Sequence, residues 1–144
     1  MINIRPAQKT DLAAITQCVA SAYADARQSI PDLPDVTSGL AQDIDQYQVF
    51  VAEKEGAVVG VVVFGSDNDK FMIFNLAVQN QMQGQGVASR LMACAENQAR
   101  EESCKRMELR THKLMHGTRA MYAHMGWVET EVTENKVSMQ KDLD

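Results

Sequence analysis

The chain has 144 residues, 45% apolar and 23% charged, the balance of a folded globular protein rather than of a disordered or collagen-like one. At this length a single domain over residues 1–144 is expected, with a core that stands without metals or disulfides. The 14 basic and 19 acidic residues leave a net charge of −5, and the longest basic cluster, Lys105-Arg106, is too short to track a nucleic-acid backbone.

Other exclusions are equally direct. Cys18, Cys94 and Cys104 have no CxxC spacing, which argues against a disulfide scaffold or zinc ribbon and for a reducing, cytoplasmic setting. The longest apolar run, residues 57–64, is far short of the roughly 20 residues that span a bilayer, so no membrane partner is expected.

In chain order, residues 2–5 read as a short strand stopped by Pro6. Thr10 is placed to cap a helix with Asp11 at its positive end, and Leu12, Ile15, Val19, Tyr23 and Ala26 keep helical spacing over residues 11–27. Residues 30–35, with two prolines and two acids, read as a loop. Val36, Leu40 and Ile44 then recur every four residues and predict a shorter helix from Thr37 or Ser38. Residues 49–53 and 57–64 are β-rich and joined by Lys54-Glu55-Gly56, as in a hairpin. The second run is nearly all valine, the composition of a central strand buried on both faces.

Residues 71–78 predict another strand, and a glycine-bearing turn leads from it into a helix marked by Ala88, Leu91, Met92, Ala95 and Ala99. Residues 106–111 read as a strand, and residues 118–125 as a short helix stopped by Gly126. Residues 127–132 and 136–141 close as an antiparallel pair. Strand, long helix, strand around the glycines is a parallel crossover, whereas the hairpins are antiparallel. The fold class is therefore α/β (α+β), a mixed central sheet of six or seven strands with helices on both faces.

The chemically informative segment is the turn, Gln83-Gly84-Gln85-Gly86-Val87-Ala88-Ser89. Glycines let the backbone approach a ligand closely, and the first N–H groups of the following helix lack intrahelical partners. Together they form an anion site suited to phosphate. A dinucleotide fingerprint would place its first glycine directly after the strand, whereas Gly84 lies six residues beyond Val78 and Ser89 stands where a third glycine belongs. A nucleotide-triphosphate loop needs a lysine that is missing here. A turn whose glycines serve packing alone is the remaining alternative.

Two motifs resemble the GNAT superfamily of acetyl-CoA-dependent N-acetyltransferases: Gln83-Gly84-Gln85-Gly86-Val87-Ala88 after the strand ending Asn75-Leu76-Ala77-Val78, and Tyr122-Ala123-His124-Met125-Gly126-Trp127. Thr111-His112 followed by Met115 is also seen in many members, and the order of elements matches nearly throughout. The resemblance implies the GNAT fold, acetyl-CoA as co-substrate, an amine as acceptor and no metal. It implies that the CoA pyrophosphate sits on N–H groups of Gln83, Gly84, Gln85, Gly86, Val87, Ala88 and Ser89. It further implies that the strand ending at Leu76, Ala77 and Val78 splays from the strand of residues 109–111, and that pantetheine pairs with the backbone of Leu76 and Val78. Tyr122 corresponds to the family's proton donor for the leaving thiolate. Monomers and homodimers both occur in the family.

The chain departs from the family pattern at two places. Asn75 stands where many members carry a glutamate base, leaving Asp67, Asp69, Glu108, His112 and His116 as substitutes, with His112 the nearest to the expected cleft. Thr118 and Met115 stand where an asparagine often helps to hold CoA. Acceptor choice in the family lies around the first two helices, where Tyr23, Asp25, Arg27 and Asp32 are the polar residues to watch. A carboxylate there suits a cationic amine, and Arg27 a substrate carboxylate. A non-catalytic acyl-CoA-binding module is the reading from another functional class.

Overall fold

The structure, a computed structural model, describes residues 1–35, 37–67 and 70–143, with only the backbone of Asp67. Val36 and Asp69, which figure in the expectations above, lie outside the described residues. In chain order the described elements are β1 (Ile2–Pro6), α1 (Leu12–Ser29), α2 (Leu40–Gln46), β2 (Gln48–Lys54), β3 (Ala57–Asp67), β4 (Lys70–Val78), α3 (Val87–Glu101), β5 (Arg106–His112), α4 (His116–His124), β6 (Val128–Val132) and β7 (Lys136–Asp142). The strands form a seven-stranded mixed sheet, in spatial order β1-β2-β3-β4-β5-β7-β6. The β4–β5 pair is parallel and is bridged by α3, whereas the other neighbours are antiparallel. Helices therefore cover both faces, as the element order predicts.

The elements begin for slightly different reasons than local propensity suggests. Thr10 is not the cap of the first helix: residues Lys9–Asp11 form a 3₁₀ turn and α1 starts at Leu12. Asp11 accepts the Gln8 N–H at 2.7 Å and the Arg5 guanidinium at 2.8 Å, so the charged residue ties this turn to β1 instead. Arg5 also reaches Glu53 at 2.9 Å, locking β1, β2 and the start of α1 together. The second helix begins at Leu40, after a left-handed Gly39, rather than near Thr37. The fourth begins at His116, which puts Thr118 inside its first turn instead of at its cap.

Apolar residues separate into two layers. On one face Ile15, Cys18 and Val19 of α1 pack on Val51, Val61, Val63 and Ala77. On the other, Leu91, Met92 and Ala95 of α3 meet Val62, Phe64, Ile73 and Leu76, and the layer continues to Tyr122, Trp127 and Met139. Two bulges reset the alternation along the central strands. Ala52 pairs with Gly60 and Glu53 with Val58, so Val59 is the extra residue of β3. Gly60 consequently faces α3, where a Cβ would lie 2.9 Å from both Leu91 Cδ1 and Val87 Cγ1. Likewise Val63 pairs with Asn75 and Phe64 with Ile73, so Phe74 is the extra residue of β4. Beyond it Asn75 and Ala77 turn to the α1 face, and Leu76 and Val78 to the α3 face.

Candidate active site

The site lies where β4 and β5 part. Their pairing runs only from Phe71–Met107 to Ile73–Leu109, although β4 continues to Val78 and β5 to His112. Past the Phe74 bulge the edge of β4 facing β5 is therefore open. Gln79 N–H donates to Val59 O at 2.9 Å, so by strand alternation Ala77 also turns its polar groups to β3, whereas those of Leu76 and Val78 face the gap. The Gln83 amide donates to Val78 O at 3.4 Å and to Asn80 Oδ1 at 3.2 Å, folding the turn back onto the strand end.

The glycines of the turn explain its shape. Gly84 and Gly86 both have φ near +81°, a region L side chains rarely adopt, and a Cβ at either would meet nothing within 4 Å. The glycines are thus required by the backbone path, which aims the chain into α3. Gly86 O receives the Arg90 N–H at 3.1 Å, the first bond of the helix. The N–H groups of Gly84 to Ser89 find no acceptor among the described residues, which leaves a row of donors at the positive end of a 15-residue helix. Such a row binds anions, and the helix is long enough to present it rigidly.

A cavity of about 690 Å³ joins this cradle to the strand gap. Leu76, Ala77, Val78, Gln83, Gly84, Gly86, Val87, Ala88 and Ser89 line it, facing Thr118, Met121 and His124 of α4. Gln85 belongs to the turn but not to the wall, and its side chain donates to Gln81 O at 3.4 Å. Tyr122 lies just behind the wall. It is 6% exposed and packs against Trp127 with ring centroids 5.9 Å apart. The Trp127 N–H donates to Tyr122 O at 3.0 Å, so the Tyr-to-Trp motif fixes the ring through the turn at Gly126. Burial pushes the Tyr122 phenol well above its ordinary pKa, with the nearby Tyr23 adding to the effect, so it stays a proton donor at neutral pH.

A second cavity of about 340 Å³ opens on the α1–α2 face, and Tyr23 and Met115 line both. Tyr23 stands at the junction and donates to Asn75 Oδ1 at 3.3 Å. Burial pushes its phenol up to about 12, so it too is neutral at ordinary pH. This Tyr23–Asn75 pair is not readable from the sequence, because the bulge at Phe74 decides which face Asn75 takes.

The remaining candidates occupy settled positions. His112 Nδ1 accepts the Leu114 N–H at 3.1 Å, which places the ring proton on Nε2, where it is donated to Asp32 Oδ1 at 2.7 Å. Both ring nitrogens are thus engaged, and neither is available as a base in this arrangement. Asp32 also accepts from Asn135, and these two hydrogen bonds hold its carboxyl below the ordinary range. Arg27 faces Asp35 at 3.7 Å, Glu108 faces Lys70 at 3.8 Å, and Asp25 and His116 are exposed. Among the described residues no three His, Cys, Asp or Glu side chains gather as a metal site, and no helix is long and apolar enough to cross a membrane.

A loop of helix-start donors, an opened parallel pair and a Tyr-to-Trp motif on the facing helix are the arrangement the sequence motifs anticipate. The profile of the Acetyltransferase (GNAT) family matches residues 16–127. The chain belongs to the GNAT acetyltransferase family. Mouse N-acetyltransferase 8B is 33% identical over 87 residues, covering 56% of this chain and 38% of that protein. Mouse N-acetyltransferase 8F1 is 30% identical over 102 residues, covering 67% and 46%. The chain thus spans less than half the length of the curated relatives it matches. Among solved structures, PaiA N-acetyltransferase from Thermoplasma acidophilum in complex with coenzyme A superposes with a TM-score of 0.89 at 13% identity, covering 99% of both chains. The ribosomal-protein-S18-alanine N-acetyltransferase of Escherichia coli superposes at 0.80 with 18% identity, covering 99% of this chain and 94% of that one. These likenesses establish the GNAT fold for this chain.

Proposed function

We propose that residues 1–144 act as one cytoplasmic acetyltransferase domain that moves an acetyl group from acetyl-CoA to a primary amine by direct attack. The observation that carries this reading is the continuity of the donor row at Gly84 to Ser89 with the open edge of β4 in one cavity. Phosphate oxygens need the first, and an extended amide-bearing arm needs the second. In this reading pyrophosphate rests on the N–H groups from Gly84 to Ser89, not on that of Gln83, which the sequence motif includes but which donates to Asn80 O at 3.3 Å; pantetheine runs along Leu76 to Val78 with its amides on the backbone of Leu76 and Val78. The free amine enters past Tyr23 and Asn75, and its nitrogen attacks the thioester carbonyl carbon. A backbone N–H near Val78 steadies the oxyanion. As the C–S bond breaks, Tyr122 supplies the proton to sulfur and recovers one from solvent, while the new ammonium loses its proton to water. No side-chain base is assigned, since Asn75 cannot take the proton and His112 is engaged at both nitrogens.

Tyr122→Phe tests the chemical half of this reading. General-acid assistance is worth about 10²–10⁴ in rate, so kcat should fall by about a hundredfold, with acetyl-CoA affinity changed less than about twofold. Equal turnover in the variant removes Tyr122 from the mechanism. The amide at Asn75 also favours a second reading, a non-catalytic acyl-CoA-binding module. Tight acetyl-CoA binding with no transfer to any amine in a broad acceptor screen would select it.

A further inference from the structure

The second cavity has a polarity that the chain as a whole does not. The protein is acidic, with a net charge of −5, yet Arg110 and Lys136 both line this cavity and neither is ion-paired among the described residues. Arg110 pairs with Ser138, and His112 with Lys136, across β5 and β7. Arg110 and Lys136 are therefore diagonal neighbours on one face of the sheet, a relation that sets residues roughly 7–8 Å apart across the two strands and lets one anion meet both.

The opposing charges are few. Asp43 is the acid on the wall, and desolvation pushes its carboxyl upward, away from the charged form. Asp32, beside the cavity, is occupied by His112 and Asn135. Phe74, 37% exposed, adds an apolar surface at the bulge, and Leu33 and Pro34 add another from the loop opposite. The loop itself is held over the cavity by the His112–Asp32 bond. Tyr23 and Met115 mark the end that opens towards the first cavity, whereas Arg110 and Lys136 line the second alone.

We propose that this cavity takes an amine that also bears a carboxylate, with the carboxylate between Arg110 and Lys136, an apolar body on Phe74, and the amine at Tyr23 and Asn75. The assignment rests on the acetyltransferase reading for which end is the amine, but the recognition of the carboxylate stands on the cavity alone. It also differs from what the sequence suggests, since Arg27, the cation that the sequence offers for a substrate carboxylate, faces Asp35 and lines neither cavity.

The test uses product-like probes, so that it does not depend on turnover. N-acetyl-L-phenylalanine and N-acetylphenethylamine differ by the carboxylate alone. Each is titrated into the full chain and followed by backbone amide NMR. A charge-assisted contact of the expected kind corresponds to roughly ten- to a hundredfold tighter binding of the acid, with shifts at Phe74, Arg110 and Lys136. In Arg110→Gln/Lys136→Gln that preference falls below about twofold, and Lys136→Gln alone gives an intermediate value. Both residues are exposed, so the amide spectrum elsewhere is expected to stay unchanged. Equal binding of the two probes, a preference that survives the double substitution, or tighter binding of the cationic probe N-acetylputrescine overturns the assignment. An acetyl-CoA titration of the same samples separates the two claims: its failure counts against the acetyltransferase reading, and loss of the carboxylate preference counts against this one.

Discussion

Replacing Gly60 by alanine tests whether the anion cradle is seated on the sheet as described. The new methyl group would lie 2.9 Å from Leu91 Cδ1, 2.9 Å from Val87 Cγ1 and 3.3 Å from Ala77 O. Leu91 is 0% and Val87 1% exposed, so Leu91 is enclosed in the core and Val87 has room only on the side of the first cavity, which it lines. Val87 is β-branched and stiff at χ1, and the Ala77 carbonyl belongs to the sheet. The relief left is for the first turn of α3 to lift. Overpacking of this kind costs about 1–3 kcal/mol, offset by about 0.4–1 kcal/mol from the less flexible unfolded chain. The net loss, at most about 2.6 kcal/mol, lowers Tm by up to roughly 8 °C in a domain of this size. The lift also displaces the N–H groups of Val87 to Ser89, and acetyl-CoA affinity should fall by roughly fivefold, equivalent to about 1 kcal/mol of charge-assisted hydrogen bonding. Scanning calorimetry and acetyl-CoA titration read the two effects. Gly117→Ala serves as the stability control, since its Cβ meets nothing within 4 Å on α4 and alanine favours a helix. A Gly60→Ala protein with unchanged Tm and unchanged affinity would refute the seating of α3 on β3.

Two further outcomes follow from the charges and thiols. The hydrogen bond from Arg5 holds Asp11 at about 2 against an ordinary 3.8, so this contribution to stability is present above about pH 4 and is lost as pH falls through 2. Asp11→Asn should cost about 1–2 kcal/mol in urea unfolding at pH 7, with the gap to the wild type closing between pH 4 and pH 2; a gap that stays constant would contradict the pairing. Burial pushes the Cys18 thiol up to about 11, so iodoacetamide at pH 8 should modify Cys94 and Cys104 well before Cys18, which reacts only on unfolding. Labelling of all three at one rate in the native protein would exclude the buried position of Cys18.

What was legible in the sequence follows the physics of each signal. Val61, Val62 and Val63 in one apolar run announce a strand covered on both faces, and the structure places Val62 on one layer and its neighbours on the other. Lys54-Glu55-Gly56 marks a hairpin because Glu55 and Gly56 take left-handed conformations between paired Lys54 and Ala57. The glycine turn stands out because few backbones except glycine's follow that path. The bulges at Val59 and Phe74 were not legible, since nothing in a run of apolar residues says where packing inserts one extra. Their consequences were hidden with them: Gly60 meets α3, and Asn75 faces Tyr23. The place of His112 near the cleft suggests a base. Its partner Asp32 lies 80 residues away in sequence, and only the folded chain reveals that the ring clamps a loop. The diagonal placement of Arg110 and Lys136 depends on the β5–β7 register, which strand patterns alone do not specify.

The most direct measurement of the central claim is calorimetric titration of the protein with acetyl-CoA, with ATP and NADH as controls, repeated on Gly86→Asp. Aspartate at that position adds a carboxylate and a strained φ in the middle of the donor row. The expected result is saturable one-to-one binding of acetyl-CoA by the wild type, far weaker binding of the two nucleotides, and no binding by the variant. Absence of acetyl-CoA binding by the wild type, or undiminished binding by Gly86→Asp, would contradict the claim.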